Sequence, residues 1–144
     1  MKLTARFRRC VARWHYYRAT FRRHLGNAYN LRREHEAAVE GFTRALHSDP
    51  EYAQAYLARG ILYWREMGHP RQAVIDLTTA YTLAPHLIEA RLNRGVAHQQ
   101  LHEYPQAIAD FEAYLNTGTD PQHREYAQTM IEELREWIVP DHAT

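Results

Sequence analysis

The chain has 144 residues, 45% apolar and 24% charged, which suits one domain with a core and excludes a low-complexity chain. No run of about 18 apolar residues occurs, so no membrane-spanning helix is expected. Cys10 is the only cysteine, which excludes an intrachain disulfide and makes a reducing, cytoplasmic setting the expectation. The net charge of +1 conceals a split: residues 1–33 carry +10 with no acid, and residues 34–144 carry −9. A basic arm on an acidic body is implied.

The first predicted element is a long helix. Leu3, Phe7, Cys10, Trp14, Tyr17, Phe21, Leu25 and Ala28 recur every three or four residues, and no Gly or Pro interrupts residues 1–25. Arg6, Arg9 and Arg13, with Lys2, flank this stripe on one side, and Arg8, Arg18 and Arg22 on the other. A helix over residues 3–31 is about 43 Å long. The basic arm (Arg6, Arg9, Arg13, Arg18 and Arg22) suits four roles: an N-terminal cap with solvated arginines, a docking helix for a partner or a second copy of the chain, an anionic-membrane contact, or a nucleic-acid contact. Packing on the stripe is the expectation for Cys10. A cleaved targeting peptide is not expected, because Ser48 is the sole serine and no apolar run follows the arginines.

Downstream, the segments AVEGFTRAL (38–46), AVIDLTTAY (73–81) and AIADFEAYL (107–115) are alike. Gly26, Gly60 and Gly95 precede them at spacings of 34 and 35, and Pro50, Pro85 and Pro121 follow. Such a period signals stacked helix pairs. Each unit reads as a first helix with apolar residues at helical spacing, a polar break, and a second helix that turns an alanine face to the first. Proline closes each unit because it cannot continue the backbone ladder. In SDP (48–50) and TDP (119–121) the aspartate is a good N-cap ahead of proline at the first helical position. The last element, QHREYAQTMIEELREWIVP, places Tyr126, Met130, Leu134 and Trp137 (or Ile138) on one face, up to Pro140. It is predicted to cap the final unit, since a solenoid needs a terminal cap to stay soluble.

These residues resemble the tetratricopeptide-repeat family. Repeat 1 (19–52) carries the pattern as Leu25, Gly26, Tyr29, Ala38, Phe42, Ala45 and Pro50. Repeat 2 (53–87) carries Tyr56, Gly60, Tyr63, Ala73, Leu77, Ala80 and Pro85, with one extra residue in its EMGHPRQ turn. Repeat 3 (88–121) keeps Gly95, Ala107 and Phe111 but has His98 and Tyr114 where an aromatic and an alanine are usual. The resemblance implies an all-α, right-handed α-solenoid of helix-turn-helix repeats. A basic N-terminal helix (1–18) precedes it and a C-terminal capping helix and tail (122–144) follow it.

The resemblance also implies a concave groove lined by the first helices. The positions that face it are Arg23 and Asn27 in repeat 1, Leu57, Ile61, Trp64 and Arg65 in repeat 2, and Leu92 and Val96 in repeat 3. An apolar centre with an aromatic anchor and a polar rim suits a partner peptide or helix. Some family members clamp the C-terminal carboxylate of a chaperone peptide. Arg23 and Asn27 fall on two clamp positions, but the others are Ala58, Glu89 and Asn93, and Glu89 repels a carboxylate. That activity is not carried over.

The expected function is a non-catalytic protein-interaction module, an adaptor or assembly factor. The alternative is a peripheral anchor that uses the basic helix on anionic membrane or nucleic acid. No nucleophile elbow, phosphate loop, dinucleotide fingerprint or zinc-protease motif is present in the sequence, and no cofactor is expected. His98 and His102, four apart, have metal-binding spacing on a helix, but no third ligand is apparent and no metal site is expected.

Overall fold

The computed structural model describes residues 4–138. Its elements are α1 (Ala5–Tyr29), α2 (Arg32–Ser48), α3 (Ala53–Leu62, prolonged by a π turn over Tyr63–Met67), α4 (Pro70–Leu83), α5 (Glu89–Gln100), α6 (Tyr104–Thr117) and α7 (Pro121–Ile138). Each helix packs mainly on its neighbours in sequence, so three helix pairs and a final helix form a right-handed solenoid. No strand occurs among the described residues.

The helix boundaries follow local chemistry. The Thr4 hydroxyl accepts the amide of Phe7 and caps α1, and Asn30, left-handed at φ 50°, ends it. Asp120 accepts the His123 amide at 2.8 Å and caps α7, with Pro121 as the first helical residue, as TDP predicts. SDP behaves differently. Asp49 accepts the Glu51 amide at 3.2 Å in a local turn, and α3 starts only at Ala53. The chain needs those further residues to reverse direction. The extra residue of unit two is absorbed as the π turn, which Gly68 ends at φ 67°.

Close approach within each pair explains the glycine period. A Cβ on Gly60 would stand 2.8 Å from Leu77 Cγ, and one on Gly95 2.8 Å from Phe111 Cε1. On Gly26 it would overlap the His35 ring. Alanines 38, 45, 73, 80 and 107, together with Phe42, Leu77 and Phe111, are fully buried beneath these contacts. Burial of each large side chain contributes about 2 kcal/mol.

A second repeating device had no counterpart in the motif reading. The Arg59 guanidinium donates to both oxygens of Asp76 (2.7 and 2.8 Å) and to the Thr43 hydroxyl (2.9 Å). Arg94 does the same with Asp110 (2.7 and 2.6 Å) and Thr78 (3.0 Å). Each arginine, on a first helix, thus grips the second helix of its own unit and that of the unit before. Burial disfavours the Arg59 charge, but the hydrogen bond and charge of Asp76 outweigh it, and its pKa is raised. Asp110 does the same for Arg94.

The ends depart from expectation. On α1 the buried positions are Ala12, Ala19 and Gly26, seven apart, and Ala19 sits against Gly41 of α2. The aromatic stripe faces solvent: Phe7 is 51% exposed, Trp14 57%, Tyr17 59% and Phe21 63%. Cys10 is exposed with them rather than packed. Small residues won the interface because they let two helices approach closely. On α7 the buried face is Ala127, Ile131 and Leu134, with Met130 partly buried and Trp137 exposed. The register is offset from the predicted stripe, yet α7 still covers the last pair, and Arg124 donates to the Leu115 and Gly118 carbonyls at the end of α6 (2.6 and 2.7 Å). Lys2, Leu3 and Pro140 lie outside the described residues.

Asp110→Ala leaves Arg94 without its partner in a half-buried site and is expected to cost about 3 kcal/mol. The double change Arg94→Met with Asp110→Leu should recover most of it. Urea midpoints of the three proteins check this.

Candidate functional site

The seam between α1 and α3 is where the site residues gather. Arg23 and Asn27 on α1 meet Ile61, Leu62, Arg65 and Glu66 at a cleft of about 240 Å3. Leu62 is buried and forms the floor, and Ile61 is half-buried. Arg65 is exposed and lies 3.4 Å from Glu66, which tempers the positive rim. One part of this cleft is already engaged: the Asn27 side-chain oxygen is 2.9 Å from His35 Nε2. His35 is buried, and its Nδ1 is 4.0 Å from Glu66.

Further toward the N-terminus, the same seam opens into a cleft of about 560 Å3 lined by Arg9, Arg13, Tyr16, Tyr17, Asp49, Tyr52 and Gln54. Its floor is aromatic. Tyr16 packs on Phe42 and Tyr52 with ring centroids 5.6 and 5.0 Å apart. Burial, reinforced by the neighbouring tyrosines, pushes the Tyr52 phenol up to about 12. A hydrogen bond with Tyr17 raises the exposed Arg13.

Apart from Arg9 and Arg13, the other expected site residues lie away from these clefts. Trp64 is half-buried, and its indole donates to Asn93 Oδ1 at 3.2 Å, tying the end of α3 to α5. Leu57 packs with it in the cluster between α3, α4 and α5. Leu92 is 6% exposed and sits in the core with Phe111, Ile131 and Leu134, and Val96 packs against that cluster. Leu92 is therefore drawn into the core by α6 and α7, while Val96 stays half-buried at its edge. Arg6, Arg9, Arg13 and Arg18 are exposed along α1, and Arg22 pairs with Glu34 at 3.0 Å.

Among the clamp positions, Glu89 is exposed at the start of α5, and Asn93 is held by Trp64 and by the Glu89 carbonyl (2.8 Å). His98 and His102 do not share a helix face. His98 bonds Glu103 at 2.6 Å, while His102 lies past the end of α5 at φ 59° and bonds the Tyr104 hydroxyl. Among the described residues no group of three His, Cys, Asp or Glu is placed to hold a metal ion. No helix of the described residues is long and apolar enough to cross a membrane.

With this geometry in hand, the comparisons with known proteins place the fold. The TPR domain of OM64 from Arabidopsis superposes with a TM-score of 0.69 at 27% identity, over 86% of this chain and 99% of that domain. The second TPR domain of human RPAP3, in complex with the HSP70 peptide SGPTIEEVD, gives 0.67 at 22% identity, over 92% and 98%. The TPR2B domain of yeast Sti1, in a complex with an Hsp70 peptide, gives 0.66 at 20%, over 83% and 97%. In sequence, the chain is 27% identical over 111 residues to a DnaJ homolog subfamily C member 7 homolog from Dictyostelium discoideum. That match covers 74% of this chain and 20% of the relative's length. No protein-family model matches the chain. The chain has the tetratricopeptide-repeat fold.

The raised Tyr52 phenol gives a signed pH effect. Its neutral form is favoured in the folded state, so that stabilisation is present below pH ~10 and is lost as pH rises through about 12. Tyr52→Phe cannot ionise, so its stability relative to wild type should improve over this window and stay level at lower pH. Urea unfolding at stepped alkaline pH reads the difference.

Proposed function

We propose that the chain is a non-catalytic adaptor that binds an extended peptide along the α1–α3 seam. The observation that carries this reading is the succession of two clefts on one seam, each with a carbon-rich floor and an arginine rim. Arg9 and Arg13 rim the first cleft, and Arg23 and Arg65 the second. Tyr16 and Arg23 are seven residues apart on α1, about 10 Å along the axis. An extended chain spans that in about three residues. The fitting ligand has two apolar side chains about three positions apart, with acidic residues between or beside them.

Two of the relatives described above were solved with HSP70 peptides, one of them the acidic SGPTIEEVD. That supports an acidic peptide as the ligand class here. A grip on the terminal carboxylate has less support. Ala58 offers no donor, Asn27 and Asn93 are engaged within the chain, and Glu89 would repel a carboxylate. Affinity should come from the guanidinium rims and the floors, with the peptide end free.

Fluorescein-labelled SGPTIEEVD, as free acid and as C-terminal amide, tests both parts. Arg23→Glu and Arg65→Glu should each weaken binding about tenfold, and amidation should change it less than about twofold. Binding untouched by either charge reversal, in variants with wild-type circular dichroism, would remove the seam from consideration. A strong preference for the free acid would restore the carboxylate grip.

A further inference from the structure

The first helix presents a surface that the rest of the fold covers. Phe21, Ala55 and Ala90 occupy one register of the three units, 34 and 35 residues apart, and Ala28, Leu62 and Ala97 another. In units two and three these positions are shut: Ala55, Ala90 and Ala97 are 0% exposed and Leu62 1%. What shuts them is the second helix of the preceding unit. Ala55 packs on Ala45 and Leu46 of α2, Leu62 on Phe42, and Ala90 and Ala97 on Ala73, Leu77 and Ala80 of α4. Unit one has no preceding helix within the described residues. The same face of α1 stands open, and it continues toward the N-terminus through Tyr17, Trp14 and Phe7.

We propose that this open face of α1 docks an acidic amphipathic helix of a partner protein in the position that α2 and α4 take on the later units, as a second site that meets the first cleft of the α1–α3 seam only at Arg13 and Tyr17. Its geometry is that of a helix slot. Phe7 to Ala28 spans about 32 Å at 1.5 Å per residue, the length of a 21-residue helix. Its chemistry is apolar in the middle and cationic at the sides. Arg6 and Arg13 border the aromatics on one edge, and Arg18, stacked over Trp14 at 5.4 Å, on the other. Residues 1–33 contain no acid, so the complementary helix carries an apolar stripe between rows of Glu or Asp.

The other occupants fit less well. Two copies meeting through α1 would bring arginine rows together. The exposed surface of α7 carries Glu125, Glu132 and Glu136, which answer the charge, but its exposed apolar groups are only Tyr126, Trp137 and Ile138, with the latter two confined to its last turn. Against an anionic lipid surface, the same terminal layer would present the exposed Glu36 and Glu40 of α2.

The probe is a fluorescein-labelled 18-residue helical peptide with leucines three and four apart between glutamates, and its twin with lysine for every glutamate. The full chain should bind the glutamate form at least tenfold tighter than the lysine form, and less tightly as salt is raised. Trp14→Glu and Phe21→Glu, both at exposed positions, should each lose at least tenfold, and Arg65→Glu should change binding less than twofold. Failure of the glutamate peptide to bind, or equal binding of the two forms, overturns the proposal. Loss in Arg65→Glu alone reassigns the peptide to the seam and also overturns it. If the peptide does not bind, Trp14-dependent co-sedimentation with vesicles of phosphatidylcholine and phosphatidylglycerol would assign the face to lipid. Trp14-dependent dimerisation in analytical ultracentrifugation would in that case assign it to a second copy.

Discussion

The guanidinium that joins three helices is the constraint on which the rest of this solenoid depends. Arg59 and Arg94 each rise from a first helix, clamp an aspartate on the second helix of the same unit, and reach a threonine on the second helix of the unit before. Apolar packing between helices tolerates sliding by a fraction of a turn, because one buried alanine resembles the next. A bidentate guanidinium–carboxylate pair does not, since two parallel hydrogen bonds are lost together when either partner moves. Burial of Phe42, Leu77 and Phe111 against the alanine faces supplies the apolar free energy of stacking. The arginines set the angle and register at which units two and three are added.

That register determines where the two clefts fall. With α3 held against α2 by Arg59, the α1–α3 seam is bounded on one side by the outward edge of α3 and on the other by Arg9, Arg13 and Arg23. Unit one carries Leu25 where the later units carry Arg59 and Arg94, so it extends no guanidinium toward a preceding helix. The two ends of the stack are consequently unlike. α7 covers the last pair with a glutamate-rich outer face that leaves Trp137 exposed near its end, whereas α1 leaves four aromatic rings in water between rows of arginine. The exposed rings, with Cys10 among them, form one continuous apolar stripe along α1.

The repeat architecture was legible in the residues because helix pairing leaves a periodic trace. Gly26, Gly60 and Gly95 are small where helices touch, and Ala38, Ala73 and Ala107 mark the facing surface. The arginine staples were also present as a 34- to 35-residue period in Arg59/Arg94, Asp76/Asp110 and Thr43/Thr78, but as charged residues they read as solvated surface. Burial of the carboxylates reveals them as internal. The site was legible only in part. Arg23, Asn27, Ile61 and Arg65 do come together at one cleft. Leu92 turns into the core because α6 and α7 compete for it, and no local pattern announces that competition.

Sequence alone determined that the chain is a succession of helix pairs with a basic first helix, because hydrophobic period, small residues and prolines act over a few residues and leave a local signature. Which face of α1 is buried could be decided only by the tertiary structure. Two stripes run along that helix, one of Phe, Trp and Tyr and one of Ala12, Ala19 and Gly26, and hydrophobicity alone favours the aromatic one. Close packing against Gly41 and the α2 backbone favours the small one, and at helix–helix distance the steric term wins.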